Sequence, residues 1–412
     1  MNGAAPRGGG VARRVVRVVL AAVLALVALG GPAAAQVDVE AVDRQVSAAG
    51  AVLWDPLDER VLWGRDATQP RRMASTTKIM TTWLAIAAGA YDDTVTVSAT
   101  AAAADERPGA ATMGLEPGER IAMRHLLVAL MLRSGNDAAV AVAEHVAGSE
   151  AAFVEEMNAT ARDLGLRDTN FINASGLTNA AEHHASPRDM ALLASVAMAD
   201  ERFAEIVGTV RADIPGHGTM ETRNLLLERY DGATGVKTGY MASAGLCLVA
   251  SASRDGRDLY AVVLDSDDSF ADTAALLDLG YDGFAVVTTA DAVPAVYRTA
   301  AGVVELEADA PPARTVAIDE EVRIRTSLAA QPPPETAAGT VLGEAELVVD
   351  GQVRARSALR ATGPLPTPTP TTPATRAGSA LEDAIRGFVR ATPQRRPVPV
   401  GVDRIVRATA RS

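Results

Sequence analysis

The chain predicts an α+β domain over residues 37–287, with an antiparallel sheet, helices and a separate helical region, followed by a small all-β domain over 288–361. Three observations carry this reading. Strand-patterned segments stand at both ends of the first stretch. Helix-period sequence fills most of the interval from Ser75 to about Val207. From about Val293 the pattern changes to short alternating segments.

Taken in order, the first residues carry Arg7, Arg13, Arg14 and Arg17 and no acid. A Val/Ala/Leu run to Leu29 follows, then Gly30-Gly31-Pro32 and Ala33-Ala34-Ala35. This is the layout of a secretory leader, 1–35, cut near Ala35; an uncleaved anchor is the competing reading. The Arg13-Arg14 pair raises twin-arginine export beside the general route. Without these four arginines the formal charge moves from −12 to −16. So acidic a body argues against nucleic acid as a partner. Cys247 is the only cysteine, which excludes an intrachain disulfide. No metal-ligand spacing is visible; the His183-His184 pair reads as part of a polar turn.

Ala48 to Trp54 and Arg60 to Trp63 read as strands around the turn Asp55-Pro56-Leu57-Asp58. A helix is expected from Ser75 through Ile79, Trp83 and Ile86, with Gly89 ending it. Helical patterns from Leu126 to Leu132 and Ala138 to Val146 flank Ser134-Gly135-Asn136. Strands return at Ala233–Thr238, Gly245–Ser253 and Asp258–Leu264, the last two joined by the hairpin turn Arg254-Asp255-Gly256-Arg257.

Lysine usage points to the chemistry. Of 39 basic residues only Lys78 and Lys237 are lysines. Arginine cannot surrender its proton in a protein, whereas a buried lysine can. The two lysines are therefore candidates for positions where arginine fails. Lys78 follows Ser75 by three residues, so on a helix the two share one face, and a serine beside a neutral amine is an activated nucleophile. Alone, this spacing also fits a helix N-cap beside a surface charge. Ser134 and Asn136, on a connection between helices, can aim a hydroxyl and an amide into a cleft, although a plain N-cap fits locally as well. Lys237-Thr238-Gly239 puts a cation and a hydroxyl on a strand, with a glycine that lets an extended substrate ending in a carboxylate come close.

Ser-x-x-Lys, Ser-x-Asn and Lys-Thr-Gly, in that order, form the motif set of serine β-lactamases and penicillin-binding proteins. The stretch 37–287 closely resembles the D-alanyl-D-alanine carboxypeptidases, the low-molecular-mass penicillin-binding proteins. The resemblance extends to Met113-Gly114-Leu115-Glu116-Pro117-Gly118-Glu119, Ser134 to Val146, Asn173-Ala174-Ser175-Gly176-Leu177, His184-Ala185-Ser186 and Arg223-Asn224-Leu225-Leu226-Leu227. The middle motif is Ser-Gly-Asn, where class A β-lactamases carry Ser-Asp-Asn. Tyr240-Met241-Ala242 departs from the commonest continuation, which bears on fine substrate preference rather than on the reaction.

The resemblance implies a β-lactamase/transpeptidase-like catalytic domain acting on peptidoglycan stem peptides, with β-lactams as covalent inhibitors and no cofactor. It assigns Ser75 as nucleophile, Lys78 as base, and Ser134 and Asn136 to proton relay and peptide holding. Lys237, Thr238 and Gly239, with Arg223, take the terminal carboxylate, and the backbone N–H groups of Ser75 and Tyr240 form the oxyanion hole. A D,D-endopeptidase or a β-lactamase on the same fold is the alternative, though no deacylating Glu block is recognisable. A non-catalytic cell-wall binding protein fits the intact motifs least.

In the all-β stretch, Val304, Leu306 and Ala308 alternate with acids, and a hairpin around Asp350-Gly351 joins Ala345–Val349 to Gln352–Leu359. A spacer role is expected. A Pro/Thr linker occupies 362–378. The tail 379–412 holds seven Arg against three acids, a net of +4, with Leu381, Ile385, Phe388 and Val389 on one helical face. It reads either as a membrane-surface contact or as a solvated basic tail. The protein is expected to be exported.

Overall fold

The computed structural model describes residues 39–106, 111–289, 296–299, 302–309, 313–329 and 336–364. The expected leader, the tail and nearly all of the expected linker lie outside the described residues. No helix among the described residues is long and apolar enough to cross a membrane.

A five-stranded antiparallel sheet organises the first domain. Its strands are β1 (Gly50–Asp55), β2 (Arg60–Arg65), β3 (Ala233–Met241), β4 (Gly245–Arg254) and β5 (Arg257–Ser266), in the order β2-β1-β5-β4-β3. Residues from both ends of the domain thus meet at the β1–β5 pairing, Gly50 opposite Leu264. The β4–β5 turn places Asp255 (φ 52°) and Gly256 (φ 76°) in the left-handed region, as a two-residue hairpin turn matched to strand twist requires.

Side chains alternate across the sheet, so each face builds its own core. On one face Ala51, Leu53, Leu248, Ala250, Leu259 and Val263 pack with Leu276, Leu277 and Leu279 of the helix Ser269–Gly283. On the other, Val52, Trp54, Val249 and Val262 join a larger core shared with the helical region, including Ile79, Met123, Leu126, Val140, Phe153 and Met190. This second core supports the site.

One local expectation is corrected. Ser75 does not lie in the α-helix: Ala74–Thr77 forms a tighter 3-10 turn, and the α-helix runs from Lys78 to Ala87. The reason is local. The Thr76 and Thr77 hydroxyls donate to the carbonyls of Met73 (2.7 Å) and Ala74 (2.8 Å), and Ala74 sits at φ 45°. Gly89 follows the helix at φ 78°, the left-handed stop that glycine favours.

The second sheet system begins at Phe284, inside the stretch expected to belong to the first domain. Phe284–Val287 pairs with Arg314–Ala317, and five further strands order as Val296–Thr299, Gly302–Ala308, Gln352–Ala361, Val341–Val349, Val322–Leu328. Thr315 joins this module to the first domain at three atoms. Its N–H donates to Asp58 Oδ2 (2.7 Å), its hydroxyl donates to buried Asp55 Oδ2 (2.7 Å), and its carbonyl accepts from Arg60 Nη1 (2.8 Å). Arg257 Nη2 donates to the same Asp55 oxygen at 3.2 Å.

Candidate active site

Four pieces of chain converge at one end of the sheet: the 3-10 turn, the Ser134–Asn136 connection, the segment 173–177 and the edge strand β3. Together they line a cleft of about 310 Å³, whose walls include Ser75, Ser134, Asn136, Arg223, Thr238, Gly239 and Tyr240. Every site residue expected from the sequence reaches this region. The two lysines differ from the rest in lying beneath the floor, Lys78 at 0 % and Lys237 at 1 % exposure.

Lys78 Nζ is 3.1 Å from Ser75 Oγ, 2.8 Å from Asn136 Oδ1 and 2.5 Å from the Ser175 carbonyl. Two of these partners are pure acceptors. A neutral amine has two N–H bonds and one lone pair. With its hydrogens given to Asn136 and Ser175, the lone pair is left for the Ser75 hydroxyl, which must then donate. The electrostatics favour that state. Burial holds the Lys78 ammonium well below the usual lysine range, Lys237 and Arg223 push the same way, and Asp137 opposes them. Burial, then Arg223, also brings Lys237 down to about 7. Its Nζ donates to the Thr238 carbonyl at 2.9 Å.

Ser134 sits at φ 68°, and its buried Oγ has no hydrogen-bond partner within the protein. A hydroxyl left unmatched inside a cleft is available to a substrate. Arg223 is held by its backbone N–H, which donates to the Leu132 carbonyl (3.2 Å) just ahead of the Ser134 turn. Gly239 brings β3 against the nucleophile: a Cβ there would stand 3.1 Å from the Met73 carbonyl and 3.2 Å from the Ser75 nitrogen. Tyr240 next to it leaves 66 % of its surface exposed at the lip of the cleft.

Three supports were given no role of their own in the sequence reading, although Asp137 and Gly176 fall within segments it named. Asp137, fully buried, accepts from the backbone N–H groups of Met113, Gly114 and Leu115, fixing the segment that borders the cleft near Ala111. His217 joins the same segment to Glu119 (2.6 Å) and the Met113 carbonyl (3.1 Å). Gly176, at φ 81°, lies so close to the turn that a Cβ would fall 2.0 Å from the Ala74 carbonyl oxygen. Asp137 adjoins Asn136, and a buried acid beside a site residue was the one signal available for it.

Sheet, helices and the serine–lysine pair at their junction define a protein of the β-lactamase/transpeptidase-like class. The profile of the D-alanyl-D-alanine carboxypeptidases, peptidase family S11, matches residues 35–268. The chain belongs to that family. It is 34% identical over 249 residues to D-alanyl-D-alanine carboxypeptidase DacF of Bacillus subtilis, covering 58% of this chain and 63% of that one. It is 34% identical over 233 residues to D-alanyl-D-alanine carboxypeptidase DacD of Escherichia coli, covering 55% and 60%. The match thus spans less than two thirds of the length of either relative. Among solved structures, penicillin binding protein 6B from Escherichia coli is similar with a TM-score of 0.63 at 28% identity, covering 82% of this chain and 99% of that one.

Proposed function

We propose that this chain is an exported serine-type D-alanyl-D-alanine carboxypeptidase that removes the terminal D-alanine from peptidoglycan stem pentapeptides and is acylated by β-lactams. The observation that carries the reading is the coordination of Lys78, whose buried Nζ lies within hydrogen-bond distance of Ser75 Oγ and of two carbonyl acceptors; in the neutral amine those acceptors take its hydrogens and leave its lone pair for Ser75.

In this reading Ser75 Oγ attacks the carbonyl between the two D-alanines while Lys78 Nζ takes the hydroxyl proton. The oxyanion forms against the N–H groups of Ser75 and Tyr240, and Gly239 is what lets the two approach. Collapse of the tetrahedral intermediate breaks the C–N bond. The proton passes from Lys78 through the Ser134 hydroxyl to the leaving nitrogen, and D-alanine departs. Water then attacks the ester and gives a proton to Lys78; collapse of the second tetrahedral intermediate breaks the ester bond, and Lys78 returns that proton to Ser75 Oγ as the shortened peptide leaves. Lys237, Thr238 and Arg223 receive the substrate's terminal carboxylate. A carboxylate arriving there also favours the charged form of Lys237, which burial and Arg223 otherwise disfavour.

Activity on the outer side of the cytoplasmic membrane, and reversible membrane contact through residues 379–412, belong to the same proposal. They rest on the leader-like and basic amphipathic sequence patterns. Mass analysis of products from a stem pentapeptide and from a cross-linked peptide dimer tests the substrate. Loss of one alanine from the pentapeptide with the dimer intact is expected. Cleavage of the dimer alone would replace the proposal with a D,D-endopeptidase.

A further inference from the structure

The buried imidazole of His183 is not part of the chemistry above, yet it sits under the nucleophile's own turn. The Ile172 backbone N–H donates to His183 Nδ1 at 3.1 Å. A backbone N–H can only donate, so Nδ1 carries no hydrogen and the ring's proton is on Nε2. That nitrogen lies 2.7 Å from Thr77 Oγ1, and the Thr77 hydroxyl donates onward to the Ala74 carbonyl at 2.8 Å. Ala74 is the residue before Ser75 and holds a left-handed φ of 45°. Phe171 meets the ring edge-on, with centroids 6.0 Å apart. The same short segment that supplies Ile172 also supplies the Ser175 carbonyl to Lys78, and the Asn173 side chain stiffens it by accepting from the Ser175 and Gly176 N–H groups.

We propose that His183 is a positioning residue: as the Nε2–H tautomer it locks the Ala74 carbonyl through Thr77, and so ties the backbone of the nucleophile to the loop that orients its base. The proposal rests on the acyl-transfer reading of Ser75 and Lys78. This link through His183 runs beside the direct one through Lys78 and reaches the main chain of the nucleophile rather than its side chain.

The neutral ring is the form its surroundings favour. Burial, then His184, then Lys78 bring the His183 pKa down to about 4. Those two are the titratable neighbours that act on it. On the helix Glu150–Asp163, the Glu150 carboxylate is engaged by the Ala174 N–H at 3.0 Å. Protonating Nδ1 would evict the Ile172 N–H and set a cation beside the Lys78 site.

The test combines spectroscopy and acylation kinetics on the full chain. With 15N-labelled histidine, of which the chain has five, the His183 resonances are expected to show Nε2–H with a bare Nδ1 from pH 5 to pH 8. Acylation by a fluorescent penicillin is resolved into the pre-covalent dissociation constant and the first-order acylation constant. His183→Phe is expected to lower the acylation constant by about 100-fold, the order of loss for a reacting atom displaced by roughly an ångström, with little change in pre-covalent binding. His183→Gln, which offers one donor and one acceptor, should recover most of that loss. Thr77→Val, of the same shape, cuts the link at its other end and should reproduce the loss; it also serves if the Phe variant does not fold. A wild-type acylation constant in Thr77→Val, or an Nδ1–H tautomer, overturns the proposal. A wild type that no penicillin acylates would instead sink the acyl-transfer reading, and this role of His183 with it.

Discussion

Replacing Lys237 with methionine should make the protein more stable and less active, and both effects should depend on pH. The side chain is buried, and its pKa falls from an ordinary 10.5 to about 7. That difference corresponds to a ceiling of about 5 kcal/mol for carrying the charge inside the fold. Relaxation around the charge reduces it, and exchanging buried charges for apolar groups of similar volume commonly gains about 1–4 kcal/mol. Below pH 7 the lysine is protonated in both folded and unfolded chains, so the cost is present in full and the Met variant has its largest advantage. Between pH 7 and 10.5 the unfolded chain keeps a proton that the folded one has lost. Wild-type stability therefore rises with pH, by up to about 1.4 kcal/mol per unit, and the advantage shrinks. Urea unfolding at pH 6 and pH 9 measures this, followed by tryptophan fluorescence. Trp54, Trp63 and Trp83 all belong to the first domain, so the signal reports that domain. In the same variant Lys78 loses a repelling neighbour, its pKa rises, and the acid limb of penicillin acylation moves to higher pH. Equal stability of variant and wild type at pH 6, with no change in the gap at pH 9, would refute the account of Lys237 as a strained buried cation.

Ser75→Ala should give no penicilloyl adduct by mass spectrometry while keeping the wild-type unfolding midpoint, since a single hydroxyl is lost from a half-exposed position. Lys78→Arg should reduce the acylation rate by about 10²–10⁴-fold, the usual worth of a general base, because guanidinium cannot accept the serine proton. Lys237→Arg should lose less, since a permanent cation still serves a carboxylate; equal mild losses at both positions would end the division of roles. Gly176→Ala should destabilise by at least about 2 kcal/mol in thermal unfolding, from the left-handed φ and the overlap with the Ala74 carbonyl. Deleting residues 379–412 should abolish salt-sensitive co-sedimentation with anionic vesicles and leave hydrolysis of soluble pentapeptide unchanged.

Much of this was legible in the sequence, for identifiable reasons. Strands β1 to β5 announce themselves by β-branched and aromatic runs closed by turn residues, and the Asp255-Gly256 hairpin by its composition. Lys78 and Lys237 stood out because arginine had displaced lysine everywhere else. What stayed hidden acts through the main chain or across long separations. The Ser175 carbonyl, 97 residues from Lys78, has no side-chain signature at all. Thr77 and His183 are 106 residues apart, and the histidine pair looked like turn decoration until the fold put one ring beneath the nucleophile. The 3-10 turn at Ser75 was missed because Ile79, Trp83 and Ile86 set a helical period whose extrapolation backward gives no hint of where the turn tightens. Phe284–Val287 lies next to a helix in sequence, and only its partner strand, 30 residues on, assigns it to the second module.

The grip on Thr315 has a consequence for how the two modules can diverge. Of its three bonds across the junction, those to Asp58 and Arg60 use the main chain, and only the one to Asp55 uses the hydroxyl. Any residue at 315 except proline, which has no N–H to donate, would keep the first two. What the junction recognises is mostly register: a given peptide unit must arrive at a given place. A change of side chain at 315, proline apart, should therefore cost little beyond the Asp55 bond, whereas inserting or deleting one residue ahead of 315 would slide a different unit into the clamp. Alternating faces would invert with it, sending Val316 from the module's core toward solvent. At 315 the count along the chain matters more than the side chain that stands there.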